Sequence, residues 1–152
     1  MTDPLTFPST TARHALPLLF AGQSQKEATV NGALALADML LHPAIEGEAS
    51  SPPADPVEGE SWLVGAAATG AFAEREGFLA SHQLGTWLFV APRDGMRLFD
   101  RASGQFVHRR GEWRREATPE SPTGGAVVDE QARAAIVAIL HLLSRTGIVG
   151  EI

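Results

Sequence analysis

The sequence predicts an α+β protein: a small antiparallel β-meander domain flanked by an N-terminal and a C-terminal amphipathic helix. Three observations carry this expectation. Apolar residues recur at helical spacing in two stretches, one after Ser24 and one after Asp129. Between them, from about Ser61 to Glu116, short apolar runs alternate with Gly, Pro and Asp turn signals, at the pace of hairpins rather than βαβ units. At 152 residues, 44% of them hydrophobic and 20% charged, the chain can bury one real core and is short for two.

Residues 1–14, rich in Thr, Pro and Ser, read as an N-terminal arm, either disordered or draped over a neighbour. Leu16-Pro17-Leu18-Leu19-Phe20 is an apolar patch that should pack, although its proline makes it a poor helix interior. The first helix is expected over 24–41. Ser24 and Glu27 stand in the S-x-x-E relation of a capping box, and Val30, Ala33, Leu34, Ala37, Leu40 and Leu41 form one apolar stripe before Pro43 ends it. From Glu46 to Glu60 the Gly, Ser, Pro and acidic composition predicts an extended connector.

Strands are then expected at 61–65, 86–91, 96–100 and 105–109, with a last short one around Trp113. Pro92-Arg93-Asp94-Gly95 is a turn in which proline presets φ and glycine permits the exit geometry. The domain so defined spans 15–116, and 117–152 is a linker and the C-terminal helix. In that helix Asp129 is the N-cap and Glu130 suits the positive end of the dipole. Ala132, Ala135, Ile136, Ile139, Leu140 and Leu143 form its apolar face, and Gly147-Ile148 reads as a Schellman stop.

Charge and composition exclude several functions. A net charge of -6 gives no overall attraction to nucleic acid or an anionic membrane. With no cysteine, disulfides, thiolate metal sites and cysteine nucleophiles are ruled out. The N-terminus lacks the basic and apolar regions of a signal peptide, and no run approaches the ~18 apolar residues of a membrane span. The expectation is synthesis in the cytoplasm, with no nucleic-acid or membrane partner.

A search for chemistry returns little. His14, His42, His82, His108 and His141 lie far apart, with no metal-site spacing, so they read as scattered packing or surface residues. Glu58 with Glu60, and Glu74 with Glu76, lie in loop-like stretches where solvated carboxylates are the default. There is no G-x-S-x-G elbow and no phosphate loop. The protein is therefore expected to be no enzyme, with no cofactor, no metal and no catalytic residue.

One basic stretch stands out: Arg109-Arg110-Gly111-Glu112-Trp113-Arg114-Arg115. An exposed hairpin edge guarded by charge, a contact to an acidic subunit, and phosphate binding with base stacking all fit, the last against the acidic net charge. Trp113, Arg110, Arg114 and Arg115 are accordingly the candidate contacts to a glycan or a partner. Trp62 and Trp87 read as core, since each can bury ~150–250 Å² in a small β domain.

Four segments occur in order: ALPLLFAGQSQKEATVN at 15–31, PPADPVEGESWLVG at 52–65, ATGAFA at 68–73, and GTWLFVAP at 85–92 followed by Gly95. This set resembles a family of uncharacterised domains from alphaproteobacterial prophages and gene transfer agents, found in tail-fibre and head-spike proteins. The resemblance covers about 15–115, and GGAVVDEQARAAI at 124–136 is similar to C-terminal helices of that group. It carries over no catalytic residue. It implies a structural component that is assembled into a virion-like particle and released with it. The role expected is a homo-oligomeric base or adaptor of a head spike or tail fibre. Its partners would be capsid or tail proteins and a longer fibre protein, and it would support adsorption to the host surface. The alternative is a carbohydrate-binding module for host capsular polysaccharide. Members with an extended fibre region are longer than this chain, which favours the base or adaptor.

Overall fold

Two helices and eight strands in two four-stranded sheets make up the described residues of the computed structural model, 9–22, 26–125 and 129–150. The fold is α+β with a helix towards each end, as expected. In chain order the elements are α1 (Glu27–Leu40), β1 (Ala44–Ile45), β2 (Glu48–Ala49), β3 (Ser61–Val64), a 3₁₀ turn (Gly70–Phe72), β4 (Leu79–Gln83), β5 (Thr86–Val90), β6 (Arg97–Asp100), β7 (Gln105–Arg110), β8 (Glu112–Arg114) and α2 (Glu130–Arg145). The chain divides into two units, Met1–Pro43 with Glu48–Pro92 and Ala44–Gly47 with Arg93–Ile152.

Both units follow one plan, and here the expected meander becomes two. In the first, the order is β2-β3-β4-β5; in the second, β1-β6-β7-β8. Each begins with a two-residue strand parallel to its neighbour, followed by a three-stranded antiparallel meander. The last hairpin of each turns at a left-handed glycine, Gly85 (φ 72°) or Gly111 (φ 73°). A tryptophan stands two residues later in both, Trp87 and Trp113.

In the first unit Val64, Phe72 and Ala80 form a buried cluster, with Trp62, Phe78, Trp87 and Phe89 packed around it. The Phe72 ring meets Trp87 edge-on at 4.9 Å and Phe89 at 6.0 Å, the geometry that ring quadrupoles favour. β4 is interior to its sheet and carries buried Ser81 and Gln83. Ser81 Oγ accepts from Ser61 Oγ (3.0 Å) and donates to the Glu60 carbonyl (3.1 Å), which satisfies polar atoms that burial alone would penalise.

Helix α1 turns most of the expected stripe outward. Its buried residues are Ala35, Asp38 and Met39, while Val30, Ala33, Ala37, Leu40 and Leu41 are exposed and Leu34 is half-buried. The reason is polar. Residues 9–20 run back along the helix, and their backbone needs partners. Asp38, fully buried, accepts from Thr11 Oγ1 (2.7 Å), Arg13 N (3.0 Å) and His14 N (2.8 Å). Asn31 brackets Leu19, accepting from its N–H (2.8 Å) and donating to its carbonyl (3.0 Å). Arg13 closes the other end, donating to the carbonyls of Met39 (3.0 Å) and His42 (3.0 Å) where the helix dipole is negative. Thus residues 9–14, expected as arm, are fastened to α1. Of the capping pair, Ser24 lies outside the described residues, and Glu27 accepts from the Gly22 N–H (3.1 Å).

In the second unit Ile45, Leu98, Val107, Leu140 and Val149 are buried. Helix α2 starts and stops as expected. Asp129 Oδ1 accepts from Ala132 N (2.9 Å). At the other end Gly147 N donates to Ser144 O (2.8 Å) and Ile148 N to Leu143 O (2.9 Å), a Schellman motif around Gly147 at φ 70°. The chain then returns to the sheet, with Phe106 N donating to Gly147 O (2.7 Å) and Glu116 bridging Val149.

Candidate functional site

The β7–β8 hairpin carries the four expected contact residues, and its pleat separates them. Pairing sets Arg110 opposite Glu112, Arg109 opposite Trp113 and His108 opposite Arg114. Since successive side chains alternate across a sheet, Arg110 and Arg114 share one face with His108, and Trp113 and Arg115 belong to the other. Arg115 is committed to the fold: its Nε (3.1 Å) and terminal nitrogen (2.8 Å) both donate to Oδ2 of buried Asp100. Burial works against ionisation of Asp100, yet the Arg115 guanidinium and the Ala102 N–H hold its carboxyl below the usual carboxylate range. Trp113 is half-buried, with the Arg109 guanidinium 6.0 Å from its ring.

On the opposite face lies a cleft of about 490 Å³. Met96, Phe106 and Ile148 supply apolar lining, and Arg97, His108, Arg110 and Glu116 supply polar atoms. Arg97, His108 and Arg114 form one cross-strand row. The Arg97 guanidinium sits 4.4 Å above the Phe106 ring, and His108 Nε2 lies 3.5 Å from Glu116 Oε1. The lining thus combines apolar surface with arginines and with the carboxylates of Asp94 and Glu116. Arg97, Phe106 and His108 were missed in the sequence, although their signal was available: alternation along β7 places Phe106, His108 and Arg110 together.

Three of the four carboxylates considered above, Glu58, Glu60 and Glu76, act as turn fasteners. Glu58 accepts from Leu84 N (2.8 Å) and Gly85 N (2.7 Å) and lies 3.3 Å from His82 Nδ1. Glu60 accepts from Val57 N (3.2 Å), and Glu76 from Ala68 N (3.1 Å). Among the described residues no group of three or more His, Asp or Glu side chains could hold a metal ion. No helix among them is long and apolar enough to cross a membrane.

Both helices present apolar surface outward. From Glu130 to Ile139 every residue of α2 except Arg133 is exposed, and of its expected apolar face only Leu140 is buried. Ile139 is 55% exposed and Leu142 54%. Arg133 ties the helix to the preceding loop, donating to the carbonyls of Pro122 and Gly124.

No curated protein and no solved structure matches the chain. Residues 30–114, more than half of the sequence and running from α1 to the end of β8, match the model of a family described as a protein of unknown function, DUF2793, and the chain belongs to that family.

Proposed function

We propose that this protein is a non-enzymatic structural component of a phage-like particle or gene transfer agent. It is the base or adaptor of a head spike or tail fibre, and it supports attachment of the particle to the host surface. One observation carries the structural part of this reading: α2 leaves Ala132, Ala135, Ile139 and Leu142 exposed at intervals of three, four and three residues. An isolated helix of this length is marginal in water, and a solvent-facing stripe of Ala, Ile and Leu is what a partner covers. The partner proposed for α2 is another particle protein, a capsid or tail protein or a longer fibre protein. The particle context rests on the resemblance of segments 15–31, 52–65, 68–73 and 85–92 to prophage and gene-transfer-agent domains.

The test is incorporation. Particles from cells expressing the wild-type chain should carry it through density-gradient purification, and particles made with Ile139→Glu should lose it. Equal incorporation of both forms removes α2 from the proposal, and absence of the wild type from purified particles removes the proposal itself.

A second reading, recognition of host capsular polysaccharide, is favoured by the cleft beside Arg97, Phe106, His108 and Arg110. Sugars carrying carboxylates would set the anion against the arginines of this cleft. Pull-down on capsule that disappears in Arg110→Ala, and independently in Trp113→Ala, separates the two faces of the hairpin. Retention of binding in both variants excludes the hairpin as the sugar site.

A further inference from the structure

We infer that the cleft of the second unit is a docking groove for an acidic peptide segment of a partner protein. Such a groove serves the adaptor role proposed above, on which this reading rests, by holding one segment of a neighbouring particle protein.

The two units repeat more than a strand order. Pro56-Val57-Glu58-Gly59 before β3 recurs as Pro92-Arg93-Asp94-Gly95 before β6. Both glycines are left-handed, at φ 87° and 92°. Each donates its N–H to the residue that faces tryptophan across the last hairpin, Gly59 to His82 O (2.8 Å) and Gly95 to Arg109 O (3.0 Å). The acid before each glycine caps the turn of that hairpin, Glu58 at Gly85 N (2.7 Å) and Asp94 at Gly111 N (2.8 Å). The short parallel strands keep the same register, with Glu48 beside Leu63 and Ala44 beside Phe99. Ser61, Leu79, Ser81 and Gln83 of the first unit therefore correspond to Arg97, Phe106, His108 and Arg110 of the second.

In the first unit this place is filled, and the chain itself fills it. A Cβ added at Gly59 would meet Ala12 Cβ at 3.0 Å and Arg13 Cγ at 3.1 Å, so the turn of residues 12–14 lies against the glycine. Ser61, Leu79, Ser81 and Gln83 are all buried. In the second unit a Cβ at Gly95 would meet nothing within 4 Å, Arg97 and Arg110 are exposed, and Phe106 and His108 are half-buried. The cleft of about 490 Å³ lies here, within the ~300–1,000 Å³ of ligand sites. The filled copy shows what this surface accepts: a turn of peptide chain, with a small side chain against the glycine.

Charge sets the sign of the segment. The carboxylates of the cleft are already engaged, Asp94 by the Gly111 N–H and by Arg109 at 3.9 Å, and Glu116 by His108 at 3.5 Å. Arg97 rests on the Phe106 ring, and among the described residues neither Arg97 nor Arg110 has an ion pair. The uncommitted charge is thus positive, and a carboxylate side chain placed beside these guanidiniums gains charge-assisted hydrogen bonds. Met96 and Ile148 supply the apolar lining for a neighbouring apolar side chain.

Selection from a random short-peptide library displayed on yeast, with the full chain as bait, reads the outcome. Enriched peptides should carry Asp or Glu next to an apolar residue. The best of them, synthesised with a fluorescent label, should bind the full chain by anisotropy, and the same peptide with Lys in place of its acids should not. Arg97→Glu and, separately, Arg110→Glu should each weaken that binding by about tenfold or more. Both side chains are exposed, so circular dichroism should stay unchanged. Arg75→Glu makes the same charge change on an exposed residue of the first unit and should leave binding as in wild type. Failure to enrich acidic peptides overturns the inference, as does binding that survives both cleft variants or falls equally with Arg75→Glu. A uronic-acid oligosaccharide that binds through Arg97 and Arg110, with no peptide bound, overturns it in favour of a sugar site. Peptide binding by a chain that is missing from purified particles upholds the groove and overturns the adaptor role alone.

Discussion

Replacing Asp38 by alanine should destabilise the first unit by about 3 kcal/mol, the effect of breaking a buried charge-assisted network. The carboxylate is fully buried and takes three hydrogen bonds, from Thr11 Oγ1, Arg13 N and His14 N, all at 3.0 Å or less. Charge-assisted bonds contribute roughly 1.5–3 kcal/mol each, so a simple sum would reach about 4.5–9 kcal/mol. Two corrections lower it. Deleting the carboxylate also removes the cost of keeping that charge out of water, and the Arg13 and His14 amides, only part-buried, regain water once the acceptor is gone. Asp38→Asn keeps one acceptor oxygen but turns an NH₂ toward a donor, so it should cost less than alanine and more than nothing. Urea unfolding followed by tryptophan fluorescence suits the measurement, since Trp62 and Trp87 lie in the core of this unit. With a denaturant slope of ~1–3 kcal/mol/M, alanine should lower the midpoint by roughly 1–3 M. A fall below about 0.5 M, or an asparagine variant weaker than the alanine one, would refute the claim that these bonds fasten residues 9–14 to the helix.

Three further outcomes follow from the same physics. Asp100 ionises more readily in the fold than in the unfolded chain, so the native state holds fewer protons. Its contribution is complete above the unfolded pKa of ~3.9 and is lost as pH falls towards the lower folded value. Thermal melts across pH should therefore show Asp100→Asn weaker than wild type at neutral pH, with the gap closing in acid; a constant gap would contradict the Arg115 pairing. Gly147→Ala should cost about 1–3 kcal/mol, because the residue sits at φ 70° and an added Cβ would meet Gly104 O, Phe106 and Phe99 at 3.3 Å. A neutral result in urea melts would show that the stop of α2 relaxes freely. Asn31→Leu should lose about 1–3 kcal/mol despite its better helix propensity, since it leaves the Leu19 N–H and carbonyl without partners. A rise in melting temperature would show that this contact contributes nothing.

What could be read in the sequence was what local chemistry determines. Asp129, Gly147 and Ile148 specify the ends of α2 within their own few residues, and the structure bears them out. The strands around Trp62, Trp87, Leu98 and Val107 carry the aromatic and β-branched residues that mark a pleated, half-buried surface. β4 does not. Leu-Ala-Ser-His-Gln has no such signature and becomes an interior strand because β3 and β5 pair on either side and Ser61 satisfies Ser81. The two-residue strands β1 and β2 are set wholly by pairing partners more than ten residues away. The stripe of α1 is legible in the sequence, but the side it faces is not. Periodicity identifies a face, but Asp38 and Asn31 decide which face turns inward, and their partners lie in a segment with no periodicity of its own. The candidate contacts of the second hairpin were adjacent in sequence, which hid the alternation that sends Trp113 and Arg110 to opposite faces.

Imaging purified particles from cells with and without this chain tests the proposal that it is built into a particle. The protein should sediment with wild-type particles, and its removal should delete a spike or fibre from their surface. Particles of unchanged appearance, with the protein left in the soluble fraction, would contradict it.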